Sequence, residues 1–405
     1  MFRRVQARHY KLLWDVDVTF GAFNILIGPN ASGKSTFLDV FTFLQDSLQI
    51  DVEHAVRKRG RDLLDLLWLR QEAEQGFELA VEMDIPENLQ TDKPEYDRIR
   101  YELAVVFEGS VGLKIEAENL FFVDSQRYRR EAPIALRPGR QVPKGYRKIL
   151  GKSASGNDYY RSEHGDWNMQ YRLAPRKLSL SGAPADTSRF PATLWFRQTL
   201  LENVQTLQLN SAAMRRPTPF DAPRTFQPDG SNLPTMVELL RQDNARFGWW
   251  LGHIQTIVED IEDVLIELRS EDNARYLVLK YRNGLQAPAW LLSDGTLRLL
   301  ALTLLAYLPS QSRTFLIEEP ENGVHPRVIE MLYQSLSSVY DGQVLIATHS
   351  PLILGLAKPE DLLVFSKDAG GEARIIPGKQ HPYLQDWRAG ADLSVLFASG
   401  VLESR

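Results

Sequence analysis

The sequence predicts an α/β fold, and three observations support this prediction. First, the strand-like segment 24–27, which is apolar after Asn24, leads directly into a glycine-rich loop, and a segment whose apolar residues have helical spacing follows that loop. Second, strand-like and helix-like segments alternate from Leu291 onward, as they do in α/β domains. Third, residues 264–268 and 276–281 form a hairpin-like pair of strands, and the second strand ends in an Asn-Gly turn at residues 283–284.

Composition and charge are those of an ordinary globular protein. Of the 405 residues, 43% are hydrophobic and 24% are charged, and we expect two or three domains. No apolar run is long enough to span a bilayer and the N-terminus lacks a secretory signal, so we expect a cytoplasmic protein with no membrane partner. The absence of cysteine excludes disulfides and cysteine-based metal sites. A net charge of −5 argues against global attraction to nucleic acid, so any such attraction must be local.

The glycine-rich loop has the phosphate-loop pattern, in which two glycines with four residues between them precede a lysine and a hydroxyl residue. Gly28 and Gly33 allow backbone torsions that turn N–H groups inward around an anion. Lys34 offers positive charge to the β- and γ-phosphates, and the Ser35 hydroxyl can ligate Mg²⁺. The following helix adds its positive N-terminal dipole. The predicted nucleotide site therefore comprises Gly28, Pro29, Asn30, Ala31, Ser32, Gly33, Lys34, Ser35 and Thr36.

An apolar strand that ends in two carboxylates provides the second part of the predicted site. Residues 314–317 form this strand, and Glu318 and Glu319 follow it. In phosphoryl transfer, one carboxylate can hold the Mg²⁺ shell while the next polarises the attacking water. We assign Glu318 to the metal and Glu319 to the water. The alternative interpretation is a buried strand whose acidic end simply meets solvent.

Two further segments each allow a functional and a structural interpretation. Ser293 and Gly295 open a predicted helix at 297–308, where a hydroxyl and a glycine at a helix N-terminus can approach a γ-phosphate. The same residues also suit an ordinary N-cap. His349 ends an apolar strand at 344–347, at the carboxyl edge where ligands bind in α/β sheets. It can donate to the γ-phosphate or orient the water, or it can be polar surface.

The order of these motifs resembles that of the ABC-type ATPase heads in the SMC, RecF and OLD-like group. Within that group, the residues of the motifs are similar to those of the bacterial predicted AAA family ATPases, which are OLD-like proteins without a Toprim nuclease domain. The residues that carry this resemblance lie at 292–298, 317–323 and 348–351, in addition to the phosphate loop. The resemblance implies an α/β, ABC/RecF-like P-loop ATPase head with a mixed central sheet, an antiparallel β subdomain and an irregular basic insertion.

The resemblance also implies a mechanism that uses ATP and Mg²⁺. In such heads, ATP is sandwiched between two protomers arranged head to tail, in an ATP-dependent homodimer or higher oligomer. The phosphate loop of one protomer would hold the phosphates, and Ser293 and Gly295 of the other would cap the γ-phosphate. From the phosphate-loop side, the residues that would act on ATP are Glu318, Glu319 and His349. Residues 322–326 match the loop that couples the two sites, and hydrolysis would open the dimer.

Several positions depart from the pattern of these heads or stay unassigned. Ala31 stands where the loop commonly has glycine, which is a minor change if that position is not left-handed. Glu318 replaces the aspartate usual in ABC proteins, and Asp294 replaces the second glycine of the transporter signature. The glutamine that completes the Mg²⁺ shell is not assigned, and its candidates are Gln45, Gln71 and Gln198. The aromatic residue that stacks on adenine is not assigned either, and its candidate is Tyr10.

We predict three regions: an N-terminal ATPase lobe at 1–124, an irregular basic insertion at 125–234, and a C-terminal ATPase lobe at 235–405 that begins with a helix at 236–251. Basic and aromatic side chains at 125–177 could neutralise the phosphates and stack the bases of DNA. The same charges could instead form a solvated loop surface or dock onto an acidic partner. The basic residues are Arg127, Arg129, Arg130, Arg137, Arg140, Lys144, Arg147, Lys148, Lys152, Arg161, Arg172, Arg176 and Lys177.

Two classes of function fit these observations. The first is a DNA-stimulated ATPase that acts on the ends or structure of nucleic acid. The second is a slow ATPase whose nucleotide-dependent assembly holds or releases a separately encoded effector, such as a toxin or nuclease. Only about fifty residues follow Pro351, too few for the nuclease domain of OLD-like enzymes, so we expect that the chain is not itself a nuclease. The resemblance also suggests a role in defence against phages.

Overall fold

The computed structural model describes residues 1–68, 76–89, 95–108, 112–127, 134–152, 156–309, 312–368, 370–385 and 393. Within these ranges, the chain forms two large sheets and a small one, with helices packed between and outside them. No helix in this part of the chain combines the length and the apolar character that a membrane span requires.

The strands and helices are numbered along the chain. The strands are β1 (Phe2–Tyr10), β2 (Leu13–Thr19), β3 (Phe23–Ile27), β4 (Gly76–Asp84), β5 (Arg98–Glu108), β6 (Gly112–Val123), β7 (Tyr146–Lys152), β8 (Asp158–Arg161), β9 (Asn168–Tyr171), β10 (Val204–Leu207), β11 (Ile261–Leu268), β12 (Arg275–Tyr281), β13 (Gln286–Pro288), β14 (Thr314–Glu318), β15 (Gln343–Ala347), β16 (Leu362–Lys367) and β17 (Ala373–Pro377). The helices are α1 (Lys34–Gln49), α2 (Val52–Arg57), α3 (Pro191–Gln198), α4 (Ser211–Met214), α5 (Leu233–Arg241), α6 (Asn244–Gln255), α7 (Asp294–Leu304), α8 (Ile329–Ser337), α9 (Pro351–Leu356) and α10 (Pro382–Gln385).

The larger sheet has eight antiparallel strands in the order β2-β1-β4-β5-β6-β7-β8-β9. Its central strands show the alternation expected of a sheet with an apolar face and a polar face. In β4, Phe77 and Leu79 belong to the main hydrophobic core, whereas Glu78 and Glu82 point to the other face and bind arginines. This sheet is the predicted antiparallel β subdomain, which the structure confirms.

The second sheet has six strands in the order β10-β14-β15-β3-β16-β17, and all neighbours are parallel except β16 and β17. It is therefore the mixed central sheet that the sequence predicts. β3 and β14 are separated by β15, so the phosphate loop, the Glu318 carboxylate and His349 all follow neighbouring strands at the same carboxyl edge. This topology brings residues such as Ser35 and Glu318, which are 283 positions apart in the sequence, to one end of the sheet.

Helix α1 lies between the two large sheets and joins their cores. Its apolar residues Phe37, Phe41 and Leu44 share one hydrophobic cluster with Leu79 of the antiparallel sheet and Leu345 of the central sheet. The spacing of these helix residues places them on one buried face, as expected for an amphipathic helix. The packing fixes the start of α1 at the edge of the sheet where the phosphate loop ends.

The opposite face of the central sheet is covered by α5, α6, α7 and α8, together with the small sheet β11-β12-β13. The predicted hairpin corresponds to β11 and β12, and its Asn-Gly turn leads into β13. The predicted helix at 236–251 is wrong as a single element, because it is split into α5 and α6. The first helix ends at Arg241, and Asp243 caps the second, where its carboxylate accepts a hydrogen bond from the Arg246 N–H.

The predicted irregular insertion contains more regular structure than the sequence suggests. β7, β8 and β9 extend the antiparallel sheet, and β10 forms the edge of the central sheet beside β14. These strands are short, and the residues that suit them depend on the strands with which they pair. Their pattern of apolar and polar residues is therefore hard to recognise from the sequence. The chain at 125–234 thus contributes to both large sheets, and the limits of the three predicted regions stay a prediction.

Candidate functional site

The phosphate loop lies between β3 and α1, where the sequence places it. Lys34 is buried, and its Nζ donates to the carbonyl oxygens of Gly28 at 2.8 Å and Pro29 at 2.9 Å. These bonds fold the loop around the lysine, so that the cation lies within the loop that would receive the phosphates. Gly33 forms the N-cap of α1 in a left-handed conformation with φ of 103°, which favours glycine.

Ala31 also adopts a left-handed conformation, with φ of 58°. Alanine in place of the usual glycine at position 31 is therefore not neutral, because an L-residue in the left-handed region is strained by about 1–2 kcal/mol relative to glycine. The neighbouring structure supports this conformation, since the loop is fixed at both ends by Lys34 and the start of α1.

Gly28 is required by close packing as well as by its torsions. Its φ is 146°, and a Cβ at this position would lie 2.1 Å from the carbonyl oxygen of Phe365 in β16. We expect Gly28→Ala to reduce the free energy of unfolding by at least about 3 kcal/mol, because the backbone of β16 cannot move away without breaking its pairing with β3. Urea denaturation followed by tryptophan fluorescence would measure this loss.

The matched control for that variant is Gly21→Ala. A Cβ on Gly21 would meet nothing within 4 Å, so this change should alter the free energy of unfolding by less than about 1 kcal/mol. Equal stabilities of the two variants would contradict the packing argument.

The two predicted carboxylates lie at the end of β14 and have different environments. The Ser35 hydroxyl donates to Glu318 Oε2 at 2.6 Å, so the two predicted Mg²⁺ ligands are neighbours. A hydroxyl beside a carboxylate fits Mg²⁺, which binds proteins through one or two such ligands and takes its other oxygens from phosphates and water. Consistent with this, the described residues hold no cluster of three or more acidic or histidine ligands that could form an all-protein site.

Glu319 follows Glu318 in a left-handed conformation with φ of 47°, which is uncommon for a non-glycine residue. Its backbone N–H donates to the Ala347 carbonyl at 2.7 Å, and this bond links the end of β14 to the end of β15. The Glu319 carboxylate accepts a hydrogen bond from the Asn322 side chain. Backbone strain of this kind is common at functional sites, where surrounding structure maintains it.

The phosphate loop, both carboxylates and the histidine line one cavity of about 160 Å³. Residues 30–36 line this cavity together with Glu318, Glu319 and His349, whereas Gly28 and Pro29 do not. The structure therefore brings the predicted phosphate-binding and catalytic residues together. The size of the cavity suits a phosphate group rather than a whole nucleotide, and larger grooves continue from it.

Ser293 and Gly295 do not line this cavity. The Ser293 hydroxyl accepts the Thr296 N–H at 3.1 Å, so it caps α7 as the structural interpretation predicts. The next residue, Asp294, forms an ion pair with Arg215, and the Arg215 guanidinium also donates to the Leu292 carbonyl at 2.8 Å. A role for Ser293 and Gly295 at the γ-phosphate would therefore require a second protomer.

The glutamine candidates lie in different places. Gln45 lines a groove that Ser35 and Glu318 also line, and its side-chain amide donates to the carbonyls of Leu201 and Val204. Gln198 donates to Glu202 on the surface. Gln71 lies outside the described residues.

Gln208, which is not among the glutamines predicted from the sequence, directly follows β10 and is exposed beside β14. It lines both grooves that Glu318 also lines, one of about 780 Å³ and one of about 830 Å³. The pairing of β10 with β14 places this glutamine near Glu318, the predicted Mg²⁺ ligand. No sequence pattern reveals that pairing, because β10 has only four residues.

Tyr10 was the candidate for adenine stacking, and the structure shows that this is wrong. Its side chain is fully buried against Phe43 and Phe77, so it presents no face to a ligand. The Tyr10 hydroxyl donates to Asp39 at 2.8 Å, and burial together with that carboxylate raises the pKa of Tyr10 well above its usual value. Tyr10 therefore belongs to the main hydrophobic core.

Many basic residues of 125–177 have partners within the protein. Arg137 binds Glu78 at 2.6 Å and Lys152 binds Asp158 at 2.8 Å in the interior. Burial lowers the pKa of Lys148, which does not favour a role as a surface cation. The exposed basic residues of this segment are Arg127, Arg140, Lys144, Arg172 and Lys177, while 128–133 lie outside the described residues. The exposed cationic surface is thus smaller than the composition of the segment suggests.

The aromatic residues of the same segment are also largely internal. Tyr160 is buried and stacks on Tyr171 at a centroid distance of 4.9 Å, while Tyr146 packs against Phe121. Trp167 is partly exposed, but the Arg189 guanidinium covers its ring. Few aromatic faces are therefore free to stack on bases.

A family model matches most of the chain. The family model described as "AAA domain, putative AbiEii toxin, Type IV TA system" matches residues 23–355. No curated protein sequence matches the chain significantly.

Similar solved structures include three heads of SMC proteins. An SmcHead bound to the C-winged helix domain of ScpA has 13% identity and a TM-score of 0.49, over 93% of this chain and 97% of that one. The SMC head domain from Thermotoga maritima has 11% identity and a TM-score of 0.43, over 93% and 98%. A Smc head domain with an extended coiled coil, bound to the C-terminal domain of ScpA derived from Pyrococcus furiosus, has 11% identity and a TM-score of 0.48, over 93% and 95%.

Proposed function

The chain belongs to this AAA-domain family of ATPases, and from that premise we propose that it binds ATP with Mg²⁺ and hydrolyses it to ADP and phosphate. The observation that carries the proposal is the contact between Ser35 and Glu318 at 2.6 Å, beside a phosphate loop built around the buried Lys34. A hydroxyl, a carboxylate and a lysine in this arrangement suit a metal-bound triphosphate. Phosphate release by the purified chain, with and without EDTA, tests the reaction and its metal dependence.

The residues around the cavity would divide the work of hydrolysis. Lys34 and the loop N–H groups would hold the phosphates, and Ser35 and Glu318 would hold Mg²⁺, which neutralises charge on the phosphate oxygens when bound. Glu319 would accept a proton from the attacking water, and His349 would donate to the γ-phosphate. We add Gln208 to this set as the glutamine that completes the metal shell, because it is exposed beside Glu318.

We further propose that the working unit is an ATP-dependent homodimer in which Ser293 and Gly295 cap the γ-phosphate bound to the other protomer. Support comes from the residues that precede this helix start. Trp290 and Leu291 are large apolar residues with exposed fractions of 48% and 70%. Exposed apolar side chains at such a position favour a surface that another protein covers.

Leu291→Asp should weaken the ATP-dependent dimer at least about tenfold, because a charge would be buried without a partner at the proposed interface. Size-exclusion chromatography with light scattering, in Mg²⁺ and a non-hydrolysable ATP analogue, would show the change. Leu268→Asp is the matched control, since Leu268 is also exposed but lies at the end of β11. Unchanged assembly of the Leu291 variant would contradict the proposed interface.

The biological role has two candidates, an action on DNA and a scaffold for another protein. An action on DNA would use the exposed residues Arg140, Lys144, Arg172 and Lys177, and turnover that rises with duplex or single-stranded DNA in a salt-sensitive way would support it. The internal pairing of Arg137 and Lys152 instead favours the second candidate, a slow nucleotide-gated scaffold for a separately encoded effector.

The family description names a putative toxin of a toxin–antitoxin system, and we propose that this chain acts in such a context. The cytoplasm as its location and defence against phages as its role stay predictions from the sequence. ATP-dependent assembly that is indifferent to DNA would support the scaffold. DNA-stimulated turnover would support the first candidate, an ATPase that acts on DNA.

A further inference from the structure

We propose that Glu321 is a positioning residue for His349, which it holds at the phosphate cavity through a hydrogen bond to Thr348. The inference rests on the proposed function, because the place of His349 matters for turnover only if its side chain donates to the γ-phosphate. Glu321 itself does not line the phosphate cavity, so it acts on ATP through the segment that carries His349.

The contact joins the loop after β14 to the end of β15. The Thr348 hydroxyl donates to Glu321 Oε1 at 2.5 Å, a length that is usual for a hydroxyl bound to a carboxylate. Thr348 is fully buried, and its Oγ1 also accepts the Ser350 N–H at 2.9 Å. A hydroxyl has a single proton to donate, and Thr348 donates it to Glu321. The two bonds therefore hold the Thr348 side chain in one orientation.

The backbone is restrained on both sides of His349. The Thr348 N–H donates to the Leu26 carbonyl at 3.1 Å, which joins the end of β15 to the strand that leads into the phosphate loop. On the other side, the Ser350 hydroxyl caps α9 and accepts the Ile353 N–H at 3.4 Å. His349 lies between these two residues and lines the phosphate cavity. Its position therefore depends on the bonds that Thr348 and Ser350 make.

The Glu321 carboxylate is only partly satisfied by the protein. Its second oxygen, Oε2, is buried and has no hydrogen-bond partner within the part of the chain that the structure describes. A buried acceptor without a donor costs free energy, so stability alone would favour a fully bonded or an apolar residue here. Departures from this rule are expected where function decides the residue. The carboxylate therefore serves the placement of Thr348 more than the stability of the fold.

Loss of this contact should affect turnover more than ATP binding. Without Glu321, the Thr348 hydroxyl turns to another acceptor, and the turn that carries His349 loses one of its restraints. A donor must lie within hydrogen-bond reach of the group it serves, and small displacements from that geometry slow a reaction strongly. ATP binding depends instead on the phosphate loop and on the metal ligands Ser35 and Glu318, which this contact does not touch.

The test is steady-state hydrolysis of ATP by the full chain carrying Glu321→Ala. We expect kcat to fall by about tenfold to hundredfold, the range for a displaced catalytic group, while KM changes by less than about threefold. Glu321→Gln should reduce kcat by less than about threefold, because its amide oxygen still accepts the Thr348 hydroxyl. Thr348→Val should lose turnover as Glu321→Ala does, whereas Thr348→Ser keeps the hydroxyl and should retain most of it.

His349→Ala separates positioning from a general loss of structure. In a chain that already carries His349→Ala, the change Glu321→Ala should cause no further fall in kcat, because the contact acts through His349. A further fall of about tenfold in that background would overturn the inference, since it would show an effect that does not pass through the histidine.

Glu330→Ala is the matched control, since Glu330 is exposed on α8 and does not line the phosphate cavity, and it should leave kcat unchanged. If Glu321→Gln loses as much turnover as Glu321→Ala while His349→Ala is nearly inactive, the contact with Thr348 does not position the histidine. The inference is then wrong and the proposed function stands. Full turnover in His349→Ala would instead overturn the proposed role of His349, and the inference with it.

Discussion

Lys34→Ala is expected to weaken ATP binding at least about hundredfold and to abolish turnover. The Lys34 ammonium is buried in the phosphate loop and is the cation nearest to the loop carbonyls of Gly28 and Pro29, which it contacts at 2.8 and 2.9 Å. Its removal takes away a charge-assisted contact to the phosphates, which is worth about 3 kcal/mol or more. It also leaves the two loop carbonyls without their donor, so the loop loses its shape as well as its charge.

Isothermal titration with ATP would measure the affinity, and a coupled assay for phosphate would measure turnover. The matched control is Lys280→Ala, which removes a surface lysine whose Nζ pairs with Glu262 at 2.6 Å. This change should leave both quantities close to those of the unmodified chain, since exposed ion pairs contribute little. An affinity for ATP that survives the Lys34 change would contradict the phosphate-loop assignment.

Glu319→Gln is expected to retain ATP binding but to reduce kcat by about 10² to 10⁴, the usual contribution of a general base. Glutamine has nearly the same shape, so the contacts of Lys34, Ser35 and Glu318 with the nucleotide persist. Its neutral amide cannot accept a proton from the attacking water. Under the proposed sandwich, bound ATP then keeps the two protomers together, because hydrolysis is the step that opens them.

Two measurements separate the parts of this prediction. Phosphate release reports the role of Glu319, and size-exclusion light scattering with and without Mg-ATP reports the assembly. Glu330→Gln on α8 is the control, since Glu330 is exposed and binds only Gln334 among the described contacts. Near-normal hydrolysis in the Glu319 variant would refute the assigned role. A mass that does not increase with ATP would refute ATP-driven assembly and favour a pre-formed complex.

Much of the predicted site was recognisable from the sequence because its parts are short and contiguous. Phosphate binding uses consecutive backbone N–H groups, so residues 28–36 contain nearly all the information about that part of the site. Likewise, an apolar strand that ends in Glu318 and Glu319, and another that ends before His349, are recognisable without knowing which strands pair. The α/β class follows from the same local patterns, the two sheet types were implied by the resemblance to ABC-type heads, and the structure confirms both.

Other properties depend on contacts between distant residues, and the sequence alone did not determine them. The burial of Tyr10 excludes it as a ligand-stacking residue, and the pairing of Arg137 with Glu78 removes a charge from the apparent basic surface. Gln208 comes close to Glu318 only because the four-residue strand β10 pairs with β14.

The sequence by itself determined the ligand class, the order of the motifs and the fold class, because each depends on the chemistry and spacing of neighbouring residues. The tertiary structure decided which candidates reach the site, that Ala31 and Glu319 adopt left-handed conformations, and that the Asn322 amide donates to the Glu319 carboxylate. Exposure, backbone strain and side-chain partners are set by how separate strands and helices pack, and no local pattern of residues records that packing.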